Sequence, residues 1–260
     1  MNPQEKPVIL IVEDDAILST LTKTMLTRMG YEVSGCESNV QDAFKHVVQY
    51  APDLVLMDIN LGTKFDGIDG ANYIYHSFNT PVVFLTGNID MEVLERAKSA
   101  EPFGYVTKPF TKEGICATIE VAYNAFLMNN PEMSKNRRKV LDKMASDDAY
   151  ILINETGTII FMNPYAERIT GASYAKAFLV NIVHVLTMKD RQSPVRFGKA
   201  TLLQDLLTAA MLKQTYTVTV TSRSGKTKNA RLTVSQIKDR QDRGIGYIVG
   251  LEEILGRMMM

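Results

Sequence analysis

Leu54-Val55-Leu56-Met57-Asp58-Ile59-Asn60-Leu61 is an apolar run interrupted by a single carboxylate, and the loop after it holds Gly62, Asp66, Gly67 and Gly70. Four to eight apolar residues bounded by turn signals read as a buried strand. An acid at the carboxyl end of such a strand stands where open α/β sheets place their chemistry. Asp58 is therefore the candidate nucleophile around which the other polar residues are weighed.

Upstream, Val8-Ile9-Leu10-Ile11-Val12 is a second continuous apolar run, and it stops at Glu13-Asp14-Asp15. Fully apolar runs of this length suit the interior of a parallel sheet, which is covered on both faces. The pattern predicts a helix from Ala16 to Met29, with Leu18, Leu21, Met25 and Met29 on one face and Gly30 as its stop. Tyr31-Glu32-Val33 predicts a strand, and Val40 to Tyr50 a helix with Ala43, Phe44, Val47 and Val48 inward, broken by Pro52. Downstream, a short helix is expected near Gly70 to Phe78 and a strand from Pro81 to Leu85, ending at Thr86-Gly87. A helix from Asp90 to Ser99, a strand from Gly104 to Thr107 ending at Lys108-Pro109, and a helix from Thr111 to Met128 complete this half. Five strand–helix alternations predict an α/β fold, a doubly wound five-stranded parallel sheet with right-handed crossovers.

Glu13-Asp14, Asp58, Thr86 and Lys108 then fall at the ends of four different strands, all on one edge of the sheet. Three neighbouring acids are costly unless a cation neutralises them. With no His or Cys beside them, oxygen ligation suits Mg²⁺ rather than zinc. A carboxylate nucleophile, a divalent cation, an ammonium and a hydroxyl form a coherent set for phosphoryl transfer. Each residue also has an ordinary reading. Asp15 is a natural helix cap, Thr86 can satisfy a turn and Lys108 can be a solvated lysine. Convergence of all five outweighs those readings.

Residues 8–128 resemble a two-component response-regulator receiver domain, a flavodoxin-like fold. The matching pieces are Ile11-Val12-Glu13-Asp14-Asp15, Leu56-Met57-Asp58, Pro81 to Thr86 and Tyr105-Val106-Thr107-Lys108-Pro109-Phe110. The resemblance implies that Asp58 accepts phosphate from a phosphohistidine on a partner sensor histidine kinase or phosphotransfer protein. It implies that Glu13, Asp14, Asp58 and the backbone carbonyl of Asn60 hold Mg²⁺, and that Lys108 pairs with a phosphate oxygen. Thr86 and Tyr105 match the family's switch pair, and Lys108-Pro109 its common cis peptide. The two Asp-Gly turns at Asp66-Gly67 and Asp69-Gly70 leave the start of the third helix open.

Pro131 interrupts the chain and Lys135-Asn136-Arg137-Arg138-Lys139 follows, read as the solvated face of a linking helix from Pro131 to Ser146. Beyond it the style changes. Strands are expected at Ala149–Ile153 and Thr158–Met162, and a short helix from Asn163-Pro164 to Thr170. Helical segments near Ala175–Leu186 and Ala200–Leu212 precede three strands, Thr215–Thr221, Ala230–Ile237 and Ile245–Leu251. That order predicts a five-stranded α+β domain with an antiparallel sheet. It resembles a PAS domain, on Ile151 to Ile159, Phe161-Met162-Asn163-Pro164-Tyr165-Ala166-Glu167, Ile169-Thr170-Gly171 and Gly246 to Leu251. Family members bind small ligands or dimerise and relay signals, and the cofactor here stays open. His184 as a haem ligand is outweighed by a plain rim histidine, since no second polar marker accompanies it. A flavin–thiol photocycle is disfavoured, because both cysteines, Cys36 and Cys116, lie in the first half.

The expected organisation is a receiver at 1–129, a linker helix at 130–146 and a PAS-like sensor or interaction domain at 147–256. Residues 1–130 hold 9 Lys and Arg against 17 Asp and Glu, a net −8, and the remainder 20 against 12, a net +8, which supports two modules. No run of about 18 apolar residues could span a bilayer, and the N-terminus lacks the form of a signal peptide, so a cytoplasmic location is expected. The expected partners are proteins: a kinase, an effector and, through the linker or PAS half, a second copy as a homodimer. Two alternatives fit the residues less well. An aspartate-nucleophile phosphatase would place a second acid two positions after Asp58, where this chain has Asn60. A DNA-binding regulator would use the basic half, but no base-reading module accompanies it.

Overall fold

The computed structural model describes residues 6–62, 65–87, 95–98, 100–190, 202–239 and 241–254. The chain divides into two compact units, Met1–Asp142 and Lys143–Met260.

In the first unit, β1 (Ile9–Val12), β2 (Val33–Glu37), β3 (Leu54–Asp58), β4 (Val82–Thr86) and β5 (Gly104–Thr107) form one parallel sheet in the order β2-β1-β3-β4-β5. Every residue of β1, β3 and β4 is buried, as their unbroken apolar runs require. Each large aliphatic side chain removed from water there contributes roughly 1.5–3 kcal/mol. The strand order reverses direction between β1 and β3. That switch point opens a crevice at the carboxyl edge of the sheet.

The covering helices are α1 (Ala16–Arg28), α2 (Val40–Tyr50), α3 (Gly67–Phe78) and α4 (Lys112–Asn129). Asp15 caps α1, its carboxylate accepting from the Ile17 and Leu18 amides at 2.8 and 3.0 Å. Ile115, Ile119, Ala122 and Phe126 turn the buried stripe of α4 onto the sheet. On the edge strand, β2 begins at Val33 rather than Tyr31. The His46 ring nitrogens of α2 lie 2.9 Å from Glu37 Oε1 and 3.0 Å from Ser34 Oγ, bridging the helix to that strand. The third helix begins at Gly67, three residues before the expected Gly70. Asp66 and Asp69 form a reciprocal capping box that places its start. Residues 95–98 are helical, and the rest of the helix expected from Asp90 to Ser99 lies outside the described residues.

Pro131 opens a further helix, α5 (Pro131–Met144). Its basic stretch is not uniformly solvated as expected. Lys135, Arg138 and Lys139 are exposed, whereas Arg137 is 8% exposed and Leu141 1%.

The second unit holds a six-stranded antiparallel sheet in the order β7-β6-β11-β10-β9-β8. The strands are β6 (Ala149–Asn154), β7 (Ile159–Met162), β8 (Thr187–Asp190), β9 (Tyr216–Thr221), β10 (Thr227–Lys238) and β11 (Gly244–Glu253). Five strands were expected, and β8 corrects that count. It is a short edge strand pairing with β9 from Thr187↔Thr221 to Asp190↔Val218. The segment read as one helix, Ala175–Leu186, is instead α7 (Tyr174–Ala177) followed by a 3₁₀ turn at Ile182–His184. The remaining helices are α6 (Pro164–Thr170) and α8 (Leu202–Leu212), with residues 200 and 201 outside the described set. Asn163, wholly buried, caps α6 by accepting from the Ala166 amide at 2.9 Å. It also accepts from the Tyr150 amide at 3.0 Å, and its Nδ2 lies 3.1, 3.4 and 2.7 Å from the carbonyl oxygens of Met144, Ser146 and Asp148.

Candidate functional site

The site forms because four strands stop at the same level. Glu13 follows β1 directly, Asp58 is the last residue of β3, Thr86 the last of β4, and Lys108 the first residue past β5. Glu13, Asp58 and Thr86 are buried and Asp14 is exposed, so the acidic cluster has a dry floor and an open side. One carboxylate oxygen each from Glu13, Asp14 and Asp58 lies within 4.8 Å of the others. At that spacing two carboxylates repel by roughly 3–4 kcal/mol at an effective dielectric near 20. Lys108 offsets this. Its Nζ donates to Glu13 Oε2 at 2.6 Å and to Asp58 Oδ2 at 2.8 Å. The second Asp58 oxygen accepts from the Asn60 backbone N–H at 3.1 Å. Asp58 is thereby held by two donors, one on each oxygen.

The same packing sets the protonation tendencies. Burial pushes the Glu13 carboxyl up, the Lys108 hydrogen bond opposes it, and the neighbouring Asp58 charge adds to the rise. Burial alone would lower Lys108. Its hydrogen bonds and ion pairs with Asp58 and Glu13 outweigh that and hold the ammonium above its ordinary value. The donor set suits a hard, oxygen-seeking cation: three carboxylates from two adjacent strand ends, with no nitrogen or sulfur ligand in the cluster.

Lys108 is fixed by the main chain as well. Its N–H donates to the Thr86 carbonyl at 2.6 Å, and the Lys108–Pro109 peptide is cis. Tyr105 stands three residues before it on β5, its ring centroid 5.8 Å from that of Phe84 on β4. The Tyr105 hydroxyl is buried and has no hydrogen-bond partner among the described residues, and burial raises its pKa. Thus Glu13, Asp14, Asp58, Asn60 and Lys108 stand in one constellation. Thr86 joins it through its carbonyl, and Tyr105 lies beside Phe84 on the neighbouring strand.

Gly67 belongs to the site although sequence reasoning assigned it only to a turn. A Cβ there would stand 1.9 Å from the Asp58 carbonyl oxygen and 3.1 Å from Ile59 Cα. Its N–H donates to Ile59 O at 3.1 Å, clamping the loop against the strand exit. The Asp66-x-x-Asp69 spacing was the signal that could have placed this contact. In the second unit, His184 lies exposed at the end of the 3₁₀ turn, as a rim histidine does.

Residues 9–120 match the family model of the response regulator receiver domain, and residues 135–254 that of the PAS fold. The transcriptional regulatory protein PdtaR of Mycobacterium tuberculosis (strain ATCC 25618 / H37Rv) is 35% identical over 118 residues, 45% of this chain and 57% of that protein. The uncharacterized transcriptional regulatory protein YvcP of Bacillus subtilis (strain 168) is 37% identical over 114 residues, 43% of this chain and 46% of that protein. The chain spans about half the length of these curated relatives. Among solved structures, the signal receiver domain of a modulated diguanylate cyclase from Desulfovibrio desulfuricans G20 is 32% identical. It covers 48% of this chain and 100% of its own, with a TM-score of 0.47. No helix among the described residues is long and apolar enough to cross a membrane. The strand-end acids, the lysine and the two family matches agree: the chain is built from a response regulator receiver domain followed by a PAS domain.

Proposed function

We propose that this chain is a response regulator of a two-component phosphorelay and that Asp58 is its phosphorylation site. The observation that carries the reading is the Asp58 carboxylate held between the Lys108 ammonium and the Asn60 amide, with Glu13 and Asp14 alongside. A carboxylate oxygen of Asp58 attacks the phosphorus of a phosphohistidine on a sensor histidine kinase or phosphotransfer protein. The P–N bond breaks, its electron pair returns to the imidazole, and an acyl phosphate forms on Asp58. Lys108 exchanges its contact with Glu13 for a phosphoryl oxygen. Glu13, Asp14, Asp58 and the backbone carbonyl of Asn60 would hold Mg²⁺, which supplies neutralisation of the phosphoryl oxygens. The Thr86 hydroxyl and the Tyr105 ring form the switch pair that reads the new charge.

We propose that the donor docks beside α1 and the start of α4. Two residues past Lys108, Phe110 lines an open groove of about 580 Å³ with Leu21, Met25 and Met29, and Arg28 and Lys112 stand at its walls. Residues 1–129 act as receiver, 130–146 as the connecting helix and 147–256 as a PAS-like interaction domain that passes the signal to a protein partner. On this reading the chain is a switch rather than an enzyme, limited to taking its own phosphoryl group and losing it slowly.

Incubation with Mg²⁺ and acetyl phosphate separates this reading from a phosphatase. One stable acyl phosphate per chain, absent in Asp58→Asn, supports the switch. Rapid release of inorganic phosphate over many turnovers overturns it.

A further inference from the structure

The corner between α2 and β3 is a cation cradle. Helix α2 ends at Ala51 in the left-handed region, at φ +51°. The last carbonyls of a helix have no partner inside it and carry the negative end of its dipole. At this corner the carbonyls of the cap residue Ala51 and of Pro52, just past that helix end, are joined by the Asp53 carboxylate. The guanidinium of Arg137 fills the cradle: Nη1 donates to Ala51 O at 3.0 Å and to Pro52 O, and Nη2 donates to Asp53 Oδ1. The other Asp53 oxygen accepts from the Val8 amide at 3.0 Å, so the acid is braced against the residue before β1. A planar fork meeting two carbonyls and a carboxylate is a task for arginine, which lysine cannot reproduce.

This contact is selective within α5. Its other basic residues Lys135, Arg138, Lys139 and Lys143 are exposed, while Arg137 and Leu141, one helical turn apart, are buried. Asp53 immediately precedes β3, and Asp58 closes the same strand, every residue of which is buried. The clasp and the candidate phosphoacceptor therefore sit at the two ends of one strand in the centre of the sheet.

We infer that Arg137 is a positioning residue: it clasps the inter-domain helix to the amino end of β3, and through that clasp the state of Asp58 is passed to the connector. This rests on the phosphoacceptor reading above. Asp58 and the Asp53 corner are joined by the one buried strand β3, so a phosphoryl group on Asp58 acts on the helix that Arg137 fastens at the strand's other end.

Two variants of the full chain test it, Arg137→Gln and Asp53→Asn. Without phosphodonor, amide hydrogen exchange across residues 131–144 is expected to be roughly tenfold faster or more in both, since each breaks a largely buried charge pair. Exchange across β1, β3 and β4 should not change. With Mg²⁺ and acetyl phosphate, both variants should acquire the phosphoryl group at the wild-type rate. The wild type should show a phosphorylation-dependent change in exchange across residues 147–254 that both variants lose, and a phosphorylated wild type with no such change overturns the role in output. Unchanged exchange in α5 in both variants overturns the clasp. A wild-type response of residues 147–254 in Arg137→Gln overturns its role in output. Failure of the wild type to take up phosphate would instead strike the phosphoacceptor reading, while the first comparison still decides the clasp.

Discussion

Replacing Asn163 with alanine removes the hub that ties the entry of the second unit to its first two strands. The side chain is wholly buried and serves two amide donors, Tyr150 N–H at 3.0 Å and Ala166 N–H at 2.9 Å. Its own amide group faces the carbonyls of Met144, Ser146 and Asp148. Loss of an N-cap is worth about 1 kcal/mol. A buried donor left unpaired costs about 1–3 kcal/mol, and the Tyr150 amide is such a donor. The stranded carbonyls add to this where water does not reach them. Before those carbonyls are counted the sum is about 2–4 kcal/mol, a large fraction of the roughly 5–15 kcal/mol that holds a domain of this size together. In a unit of this size the midpoint should fall by about 10–15 °C. Thermal unfolding followed by circular dichroism, with exchange assigning the transition to residues 143–254, measures it. Asp58 phosphorylation should be unaffected, because Asn163 belongs to the other unit. A loss below about 1 kcal/mol would refute the hub, since that is the net value of one ordinary hydrogen bond.

Other perturbations address the site and the second unit. Gly67→Ala should destabilise the first unit by about 1–3 kcal/mol and slow phosphoryl uptake at Asp58, because backbone must move to admit the methyl group. Stability and labelling rate report the two effects. Chelating divalent cations with EDTA should abolish labelling from acetyl phosphate, with Mg²⁺ restoring it. Asp14→Asn should raise the Mg²⁺ concentration needed, read from the titration. In the second unit, hydrogen bonds from Lys228 at 2.7 Å and Tyr165 at 2.6 Å hold the Glu253 carboxyl below its ordinary range. A depressed folded-state pKa gives stability that is present above the unfolded value and lost as pH falls through the folded one. Tyr165→Phe should therefore cost about 1 kcal/mol at pH 7 and progressively less below the ordinary glutamate value of 4.5. Urea unfolding at both pH values checks the sign.

The receiver half was legible because its signals are local and redundant. Unbroken apolar runs such as Ile9–Val12 and Leu54–Met57 permit little else than buried strands, and the polar residues that end them fall at one sheet edge by topology alone. What escaped depends on distant partners. The edge strand Thr187–Asp190 exists through its pairing with β9, and its own four residues offer a single apolar side chain, Met188, too little to announce a strand. Arg137 sits in a basic run that reads as solvated, and only the fold brings the Ala51–Asp53 corner to it across more than 80 residues. The steric role of Gly67 likewise needs the Asp58 carbonyl beside it. The capping box at Asp66 and Asp69 was visible in spacing, but two adjacent Asp-Gly turns competed with it.

Asp58 as phosphoacceptor is tested most directly by locating the label. The intact chain, treated with Mg²⁺ and acetyl phosphate, is cleaved and its peptides weighed. One phosphoryl group on the peptide that contains Asp58, removed by hydroxylamine and missing from Asp58→Asn, is the predicted result. Label on any other residue, or full labelling of Asp58→Asn, would contradict it.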